Sequence, residues 1–183
     1  MGSKKTYQLT RPVFFIGFMG AGKTTVTRRL ARMCGLASVD VDRCLERAFD
    51  MRAKELFLRC GEEHFRDLEA DQLEELVAGD PLLISCGGGI VMGARSRAII
   101  RERGFAVYLK VTPEESASRI SDHSTRPYLE SMESFRAASS ARLPYYAQLA
   151  DVTVDTKGAS VGKLAWDIRC ILLKRGVLCQ TSK

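Results

Sequence analysis

The fold of this chain is decided by one stretch, Pro12-Val13-Phe14-Phe15-Ile16-Gly17-Phe18-Met19-Gly20-Ala21-Gly22-Lys23-Thr24-Thr25. Residues 13–16 form a short apolar run bounded by proline and glycine, which is typical of a buried strand. Residues 17–24 then fit the pattern G-x-x-x-x-G-K-[ST], and a segment with helical character follows. A strand, a glycine-rich turn and a helix in this order predict a phosphate-binding loop.

The chemistry of such a loop explains its composition. Glycines let backbone N–H groups turn inward around phosphate oxygens, and the start of the next helix adds its positive end. We expect Lys23 to reach the β- and γ-phosphates of ATP and the hydroxyl of Thr24 to ligate Mg²⁺. The alternative is a glycine-rich turn with an exposed lysine. The predicted ATP-binding residues here are Gly20, Ala21, Gly22, Lys23, Thr24 and Thr25.

The remaining sequence alternates between strands and helices. The predicted strands cover residues 12–17, 37–41, 82–86, 105–111 and 151–154. The predicted helices cover residues 23–34, 43–77, 94–103, 135–149 and 161–174, with a further helix starting at residue 113. We expect Gly61 to break the second helix and Pro144 to interrupt the helix at 135–149. This alternation predicts an α/β fold with a mainly parallel sheet, whose ligands bind at the carboxyl ends of the strands.

Composition narrows the class of protein. The 183 residues fit one domain spanning 1–183, with residues 1–11 expected as a flexible tail. The net charge of +6 suits an anionic partner, but it does not choose between nucleic acid, a membrane surface and small phosphates. Six cysteines without C-x-x-C spacing and only two histidines argue against zinc and favour free thiols in a reducing cytosol. The chain has no asparagine, so the N-K-x-D guanine reader of GTPases is absent, and its small size favours a compact phosphotransferase.

Two acids follow the second predicted strand. Asp40 and Asp42 stand two residues apart, and strand alternation would place both on one face. One could serve Mg²⁺ and the other could orient or deprotonate an acceptor hydroxyl. The alternative is that Asp42 caps a helix that begins at Arg43.

Other polar positions have both a functional and a structural interpretation. Arg66 could pair with Glu69 one turn on, or both could lie on a solvated helix face. The triple glycine 87–89 allows close approach of a ligand, or forms a flexible turn. Arg126 lies in a polar loop that could close over ATP and supply charge to the transition state. Arg142, just before Pro144, is by itself typical of a surface residue.

Together these residues closely resemble the shikimate kinase family. The resemblance covers roughly residues 12–175 in the family's order and with similar spacing. Its motifs are residues 17–25, Val39-Asp40-Val41-Asp42, residues 61–69, Gly87-Gly88-Gly89, Arg126-Pro127, and Arg142 before Pro144-Tyr145-Tyr146. The resemblance implies a three-layer, nucleoside-monophosphate-kinase-like P-loop fold. Its five-stranded parallel sheet would have the order 2-3-1-4-5, beside a LID at about 121–133 and a substrate-binding region.

The resemblance also implies a reaction. It predicts a transferase that uses ATP and magnesium to phosphorylate the 3-hydroxyl of shikimate, in the shikimate pathway to chorismate and aromatic amino acids. Lys23, Asp42 and Arg126 would be catalytic. Thr24 and Asp40 would hold the metal, with Ser85 reaching it through water. Arg119 would stack on adenine. The implied shikimate-binding residues are Asp42, Arg66, Gly87, Gly88, Gly89 and Arg142.

One segment departs from the family pattern, and three rival functions are weighed against the resemblance. The adenine loop at residues 155–160 carries neither the arginine nor the proline that the family usually has there. The rivals are a related small-molecule kinase such as a gluconokinase, a kinase-fold regulator without turnover, and a nucleic-acid binder. We expect a cytoplasmic monomer that acts on small molecules and binds neither nucleic acid nor membrane.

Overall fold

A computed structural model of the protein describes residues 6–120 and 131–181. Its strands are β1 (Thr6–Leu9), β2 (Val13–Ile16), β3 (Ser38–Asp40), β4 (Leu83–Ser85), β5 (Phe105–Lys110), β6 (Val152–Asp155) and β7 (Leu178–Thr181). Five of them form a parallel sheet in the order β3-β4-β2-β5-β6. Counted along the chain within that sheet, the order is 2-3-1-4-5, so the predicted topology is confirmed.

Helices cover the sheet on both sides and complete a three-layer α/β fold. They are α1 (Lys23–Cys34), α2 (Val41–Phe49), α3 (Ala53–Ala78), α4 (Ala94–Arg103), α5 (Pro113–Arg119), α6 (Met132–Leu149) and α7 (Val161–Lys174). A short 3₁₀ turn, Ile90–Met92, precedes α4. The central strand β2 is fully buried, as its continuous apolar run predicts. Among the described residues, no helix is both long enough and apolar enough to cross a membrane.

The chain termini differ from the sequence prediction. Residues 6–9 are not part of a loose tail: they form β1, which pairs antiparallel with β7 in a separate two-stranded sheet. Leu9 and Leu178 face each other in this pair and both are buried. Their burial explains the order of this segment, and it depends on β7, a strand that the sequence analysis did not predict. Residues 1–5 lie outside the described part of the chain.

The two predicted helix interruptions have different outcomes. Gly61 has φ 79° and ψ 168°, so it kinks α3 as predicted. Pro144 lies inside α6, which continues through it, so the predicted interruption at this position is wrong. A proline removes one helical hydrogen bond. Phe135 and Tyr146, on either side of Pro144, are fully buried, and their packing holds both parts of α6 against the core.

Candidate active site

The phosphate loop joins β2 to α1 and depends on its glycines. Gly20 and Gly22 have φ values of 71° and 85°, in the left-handed region that favours glycine. A side chain on Gly17 would place its Cβ 2.5 Å from the carbonyl oxygen of Leu109. A side chain on Gly20 would place its Cβ 2.7 Å from that of Ser116. Larger residues are therefore excluded at these positions by the neighbouring backbone.

Lys23, the first residue of α1, is buried beneath this loop. Its side-chain ammonium donates hydrogen bonds to the carbonyl oxygens of Gly17 at 2.8 Å and Phe18 at 2.9 Å. The alternative of an exposed lysine beside a glycine-rich turn is therefore wrong. The loop thus places the charged ammonium of Lys23 at the start of a helix, where the backbone N–H groups also carry partial positive charge. This arrangement suits the binding of a polyphosphate.

Three side-chain oxygens meet at the carboxyl ends of β3 and β4. The hydroxyl of Thr24 donates to Oδ2 of Asp40 at 2.7 Å and lies 3.2 Å from the hydroxyl oxygen of Ser85. Oδ1 of Asp40 accepts from the backbone N–H of Arg43 at 3.3 Å. The predicted metal residues therefore lie together. Their oxygens suit Mg²⁺, because this ion prefers hard oxygen ligands.

Asp42 reaches the site by a different route from the one predicted. Asp40 ends β3, whereas Asp42 lies in the first turn of α2, so strand alternation does not place them on one face. The helix cap is Asp40 and not Asp42, because α2 begins at Val41. Asp42 nevertheless points toward the triple glycine. Its Oδ1 is 2.6 Å from the position that a Cβ on Gly87 would occupy.

Arg66 and Glu69 form the predicted pair on α3. Nη1 of Arg66 lies 2.6 Å from Oε2 of Glu69, and Nη2 lies 3.3 Å from Oε1 of Glu62. The Arg66 side chain is 12% exposed and that of Glu69 only 1%, so the alternative of a solvated helix face is wrong. Nε of Arg66 is buried and has no hydrogen-bond partner among the described residues.

Burial changes the acidity of Glu69. Loss of solvent raises the pKa of this carboxyl to about 7, and the nearby charge of Asp42 pushes it the same way. The positive charges of Arg66 and Arg142 oppose that rise and do not overcome it. Glu69 therefore titrates near neutral pH while it holds Arg66 in place.

The triple glycine after β4 makes room for these side chains. A Cβ on Gly87 would lie 3.0 Å from Oε1 of Glu69 in addition to its contact with Asp42. A Cβ on Gly89 would lie 2.7 Å from Nη1 of Arg66. None of the three has a positive φ, so steric contact and not backbone conformation requires glycine at 87 and 89. The turn is thus packed against the acceptor-side residues.

Two further predicted arginines lie on helices α5 and α6. Arg142 on α6 is only 6% exposed, and its guanidinium carbon lies 5.4 Å from the centre of the Phe18 ring, so the surface interpretation is wrong. Arg119 at the end of α5 donates to the side chain of Thr156 at 3.0 Å and to its backbone carbonyl at 3.2 Å. Arg126 and most of the predicted LID lie outside the described residues.

One cavity of about 1140 Å³ connects the two sides of the site. Most of the predicted site residues that the structure describes line it, including the phosphate loop from Gly20 to Thr25, both acids, the triple glycine and three arginines. Ser85 lies outside this lining but contacts Thr24. Cys86 also lines the cavity and was missed by the sequence analysis, although its place between a buried strand and the triple glycine was a usable signal. Burial raises the pKa of its thiol, which stays protonated.

Comparison with known proteins points to one family. The sequence model of the family described as shikimate kinase matches residues 19–171. A shikimate kinase of Cereibacter sphaeroides is 36% identical over 185 aligned positions, which cover 100% of this chain and 92% of that protein.

Solved structures agree with the sequence match. The shikimate kinase from Acinetobacter baumannii in complex with shikimate superposes with a TM-score of 0.85 at 32% identity, covering 90% of this chain and 94% of that one. The shikimate kinase from Bacteroides thetaiotaomicron has a TM-score of 0.80 at 28% identity, covering 89% and 98%. With the phosphate loop, the two acids and the buried arginines in one cavity, these matches show that the chain belongs to the shikimate kinase family.

Proposed function

We propose that this enzyme transfers the γ-phosphoryl group of ATP to the 3-hydroxyl of shikimate, giving shikimate 3-phosphate and ADP. A bond forms between the 3-oxygen and the γ-phosphorus, and the bond from that phosphorus to the bridging oxygen of ADP breaks. The hydroxyl proton leaves to Asp42 or to solvent. The product would feed the pathway to chorismate and the aromatic amino acids.

The observation that carries the proposal is the shared cavity. One side of it is lined by a loop built for polyphosphate, and the other side by Asp42, Arg66 and Arg142. Shikimate is a small acid with three hydroxyls, so it needs a cationic contact at one end and short polar contacts around the ring. Guanidinium groups suit a carboxylate, because they offer two parallel donors. Arg66 and Arg142 would bind that carboxylate, and the glycines 87–89 would contact the ring hydroxyls.

Asp42 is proposed to orient the 3-hydroxyl. Its carboxylate lies against Gly87, and Asp42 lines the cavity together with Glu69. Phosphoryl transfer of this type needs mainly positioning of the two substrates and neutralisation of charge. Lys23 would supply positive charge to the transferred group, and Arg126 would supply more from the LID at about 121–133.

Mg²⁺ is proposed to bind between the loop and β3. Thr24 and Asp40 would hold it, with Ser85 in contact through water, because the Thr24 hydroxyl already lies within hydrogen-bonding distance of both Asp40 and Ser85. An ion held by these residues would supply positive charge next to the phosphate loop and neutralise part of the charge of the ATP phosphates. The protein's part is to supply the side-chain oxygens of Thr24 and Asp40 beside the phosphate loop.

The remaining proposals concern the adenine base and the state of the chain. Arg119, fixed on Thr156, would stack on adenine, while the loop at 155–160 would contact the base through its backbone. The chain would act as one kinase domain and as a monomer. Its six free thiols fit a reducing compartment such as the cytoplasm. Small anions account for the arginines at the site without a nucleic-acid or membrane partner.

A coupled assay of ADP release tests the proposal. Purified protein should release ADP in the presence of ATP, Mg²⁺ and shikimate, and the product should be a phosphate ester at the 3-position by ³¹P and ¹H NMR. Gluconate and nucleoside monophosphates, offered at the same concentration, should give background rates. Turnover of one of these without turnover of shikimate would assign the chain to a related small-molecule kinase instead. Tight binding of both substrates without ADP release would identify a regulator.

A further inference from the structure

Tyr146 is a buried polar residue that the reaction described above does not use. It lies on α6 and is fully buried, with its ring stacked on that of Tyr108 from β5 at a centroid distance of 5.1 Å. Its hydroxyl donates to the backbone carbonyl oxygen of Gly88 at 2.5 Å. The guanidinium of Arg142, one helical turn earlier on α6, lies close enough to this hydroxyl to interact with it and to oppose the rise in its pKa that burial causes. One hydroxyl thus connects the middle glycine of the turn to the buried arginine.

These two partners lie on separate elements. Gly88 follows β4, whereas Arg142 belongs to a helix more than fifty residues further along the chain. Both line the cavity, and both are proposed to contact shikimate. Burial raises the pKa of the Tyr146 phenol, so its O–H remains a donor over the working pH range. The contact of Tyr146 with the turn and with Arg142 is therefore not lost by titration of the phenol.

The other end of the turn has its own anchor. Nη1 of Arg97 on α4 donates to the carbonyl oxygens of Val91 at 2.8 Å and Met92 at 2.9 Å. The guanidinium of Arg97 also lies over the ring of Tyr145, at 4.7 Å from its centre. Loss of the Tyr146 hydroxyl would therefore leave the segment after the glycines attached, and the effect should be confined to Gly88 and Arg142.

We infer that Tyr146 is a positioning residue for the acceptor: its hydroxyl fixes the Arg142 guanidinium against the carbonyl side of the triple glycine. Without it, the Gly88 carbonyl loses a buried donor and the Arg142 guanidinium loses one of the contacts that position it. The inference rests on the proposed function, because it assigns Tyr146 to shikimate binding and not to nucleotide binding.

The test is Tyr146→Phe, which keeps the stacked ring and removes only the hydroxyl. We expect the KM for shikimate to rise about tenfold, in line with the loss of a buried hydrogen bond to a charged group. The KM for ATP should stay within about twofold and kcat within about threefold, since the phosphate loop is untouched. Tyr145→Phe is the matched control on the neighbouring residue: it keeps the ring under Arg97, and all three constants should stay within about twofold.

A double-mutant cycle separates positioning from a general loss of stability. In an Arg142→Met background, adding Tyr146→Phe should raise the shikimate KM by less than about twofold, because the hydroxyl acts through the arginine. An unchanged shikimate KM in the single variant, a parallel rise in the ATP KM, or full additivity in the cycle would each overturn the inference. Absence of shikimate turnover in the unmodified enzyme would instead refute the proposed function.

Discussion

The two halves of this cavity are built in different ways. The phosphate half comes from one continuous stretch, β2 to α1, and its main groups are backbone N–H donors and a lysine that is bonded to the carbonyl oxygens of its own loop. The acceptor half collects side chains from α2, α3, α6 and the triple glycine, which are far apart in sequence. The first half is specified locally, and the second depends on the whole fold. Substitutions should therefore have different effects in each: those in the phosphate half should lower turnover, and those of the arginines in the acceptor half should lower the affinity for shikimate.

Lys23→Ala should have the largest effect. The transferred phosphoryl group loses the side-chain charge closest to it, and kcat should fall by about 10³-fold or more. Calorimetric binding of shikimate should change little, because the acceptor side chains stay in place. Lys163→Ala, which removes an exposed lysine paired with Asp167, is the control and should keep full activity. A Lys23→Ala enzyme that lost shikimate binding equally would remove the distinction between the halves.

Arg142→Ala should produce the opposite pattern. Removal of a buried guanidinium from the proposed carboxylate contact should weaken shikimate binding by about 2–4 kcal/mol, or roughly 30- to 1000-fold. The KM for ATP should be nearly unchanged. Arg136→Ala on the same helix removes an exposed arginine paired with Glu114 and should be nearly silent. If Arg142→Ala changed only the ATP kinetics, the carboxylate role would be wrong.

Gly89→Ala tests the steric contact between the triple glycine and Arg66 in the acceptor half. The added Cβ would lie 2.7 Å from Nη1 of Arg66, so the guanidinium must move and shikimate KM should rise about tenfold. Gly79→Ala is matched to it, since a Cβ there meets nothing within 4 Å and the backbone φ of −92° suits alanine. Steady-state kinetics of both variants check the expectation. Equal effects at 79 and 89 would mean that the loss is not due to Arg66.

The effect of pH on kcat/KM for shikimate should be smaller than the effects of these substitutions, and it should depend on Glu69. Ionised Glu69 forms an ion pair with Arg66. Because the pKa of Glu69 is about 7, this ion pair weakens as the pH falls through 7. We expect kcat/KM for shikimate to fall a few-fold between about pH 8 and pH 6. Glu69→Gln should remove that inflection. Glu62→Gln, which alters the more exposed partner of the same arginine, should keep it.

The titration of Glu69 should also change the stability of the fold with pH, in a direction that follows from its raised pKa. The pKa of Glu69 in the fold is raised above its ordinary value of 4.5, so between about pH 4.5 and 7 the folded chain holds a proton that the unfolded chain has released. The contribution of this group to stability should therefore fall as pH rises through that window. Melting temperatures measured from pH 5 to 8 should decline more in the wild-type protein than in Glu69→Gln. An equal decline in both would assign it to other groups.

The sequence predicted the phosphate half almost completely, because backbone conformation there follows from a local pattern of glycines. The acceptor half could be predicted from the sequence only in part. Asp42 was selected, but for the wrong reason: α2 begins at Val41 and carries the acid into the cavity from a helix. Arg66 and Arg142 have local surroundings typical of surface residues, and only tertiary packing shows that they are buried.

Other features had no local signal at all. The Tyr146 hydroxyl meets Gly88 across more than fifty residues of chain, and β1 is ordered by a strand at the opposite terminus. The shift in the pKa of Glu69 depends on burial, which the sequence pattern does not give. In each case the missing information is a long-range contact. The role of Arg126 remains a prediction.

The central claim is that the acceptor half recognises a carboxylate, and one comparison tests it directly. Shikimate and its methyl ester should be assayed with the wild-type enzyme and with Arg142→Met under saturating ATP and Mg²⁺. We predict that the wild-type enzyme prefers the acid by about 100-fold or more in kcat/KM, and that Arg142→Met loses most of this preference. Equal use of acid and ester by the wild-type enzyme, or an unchanged preference in Arg142→Met, would contradict the account.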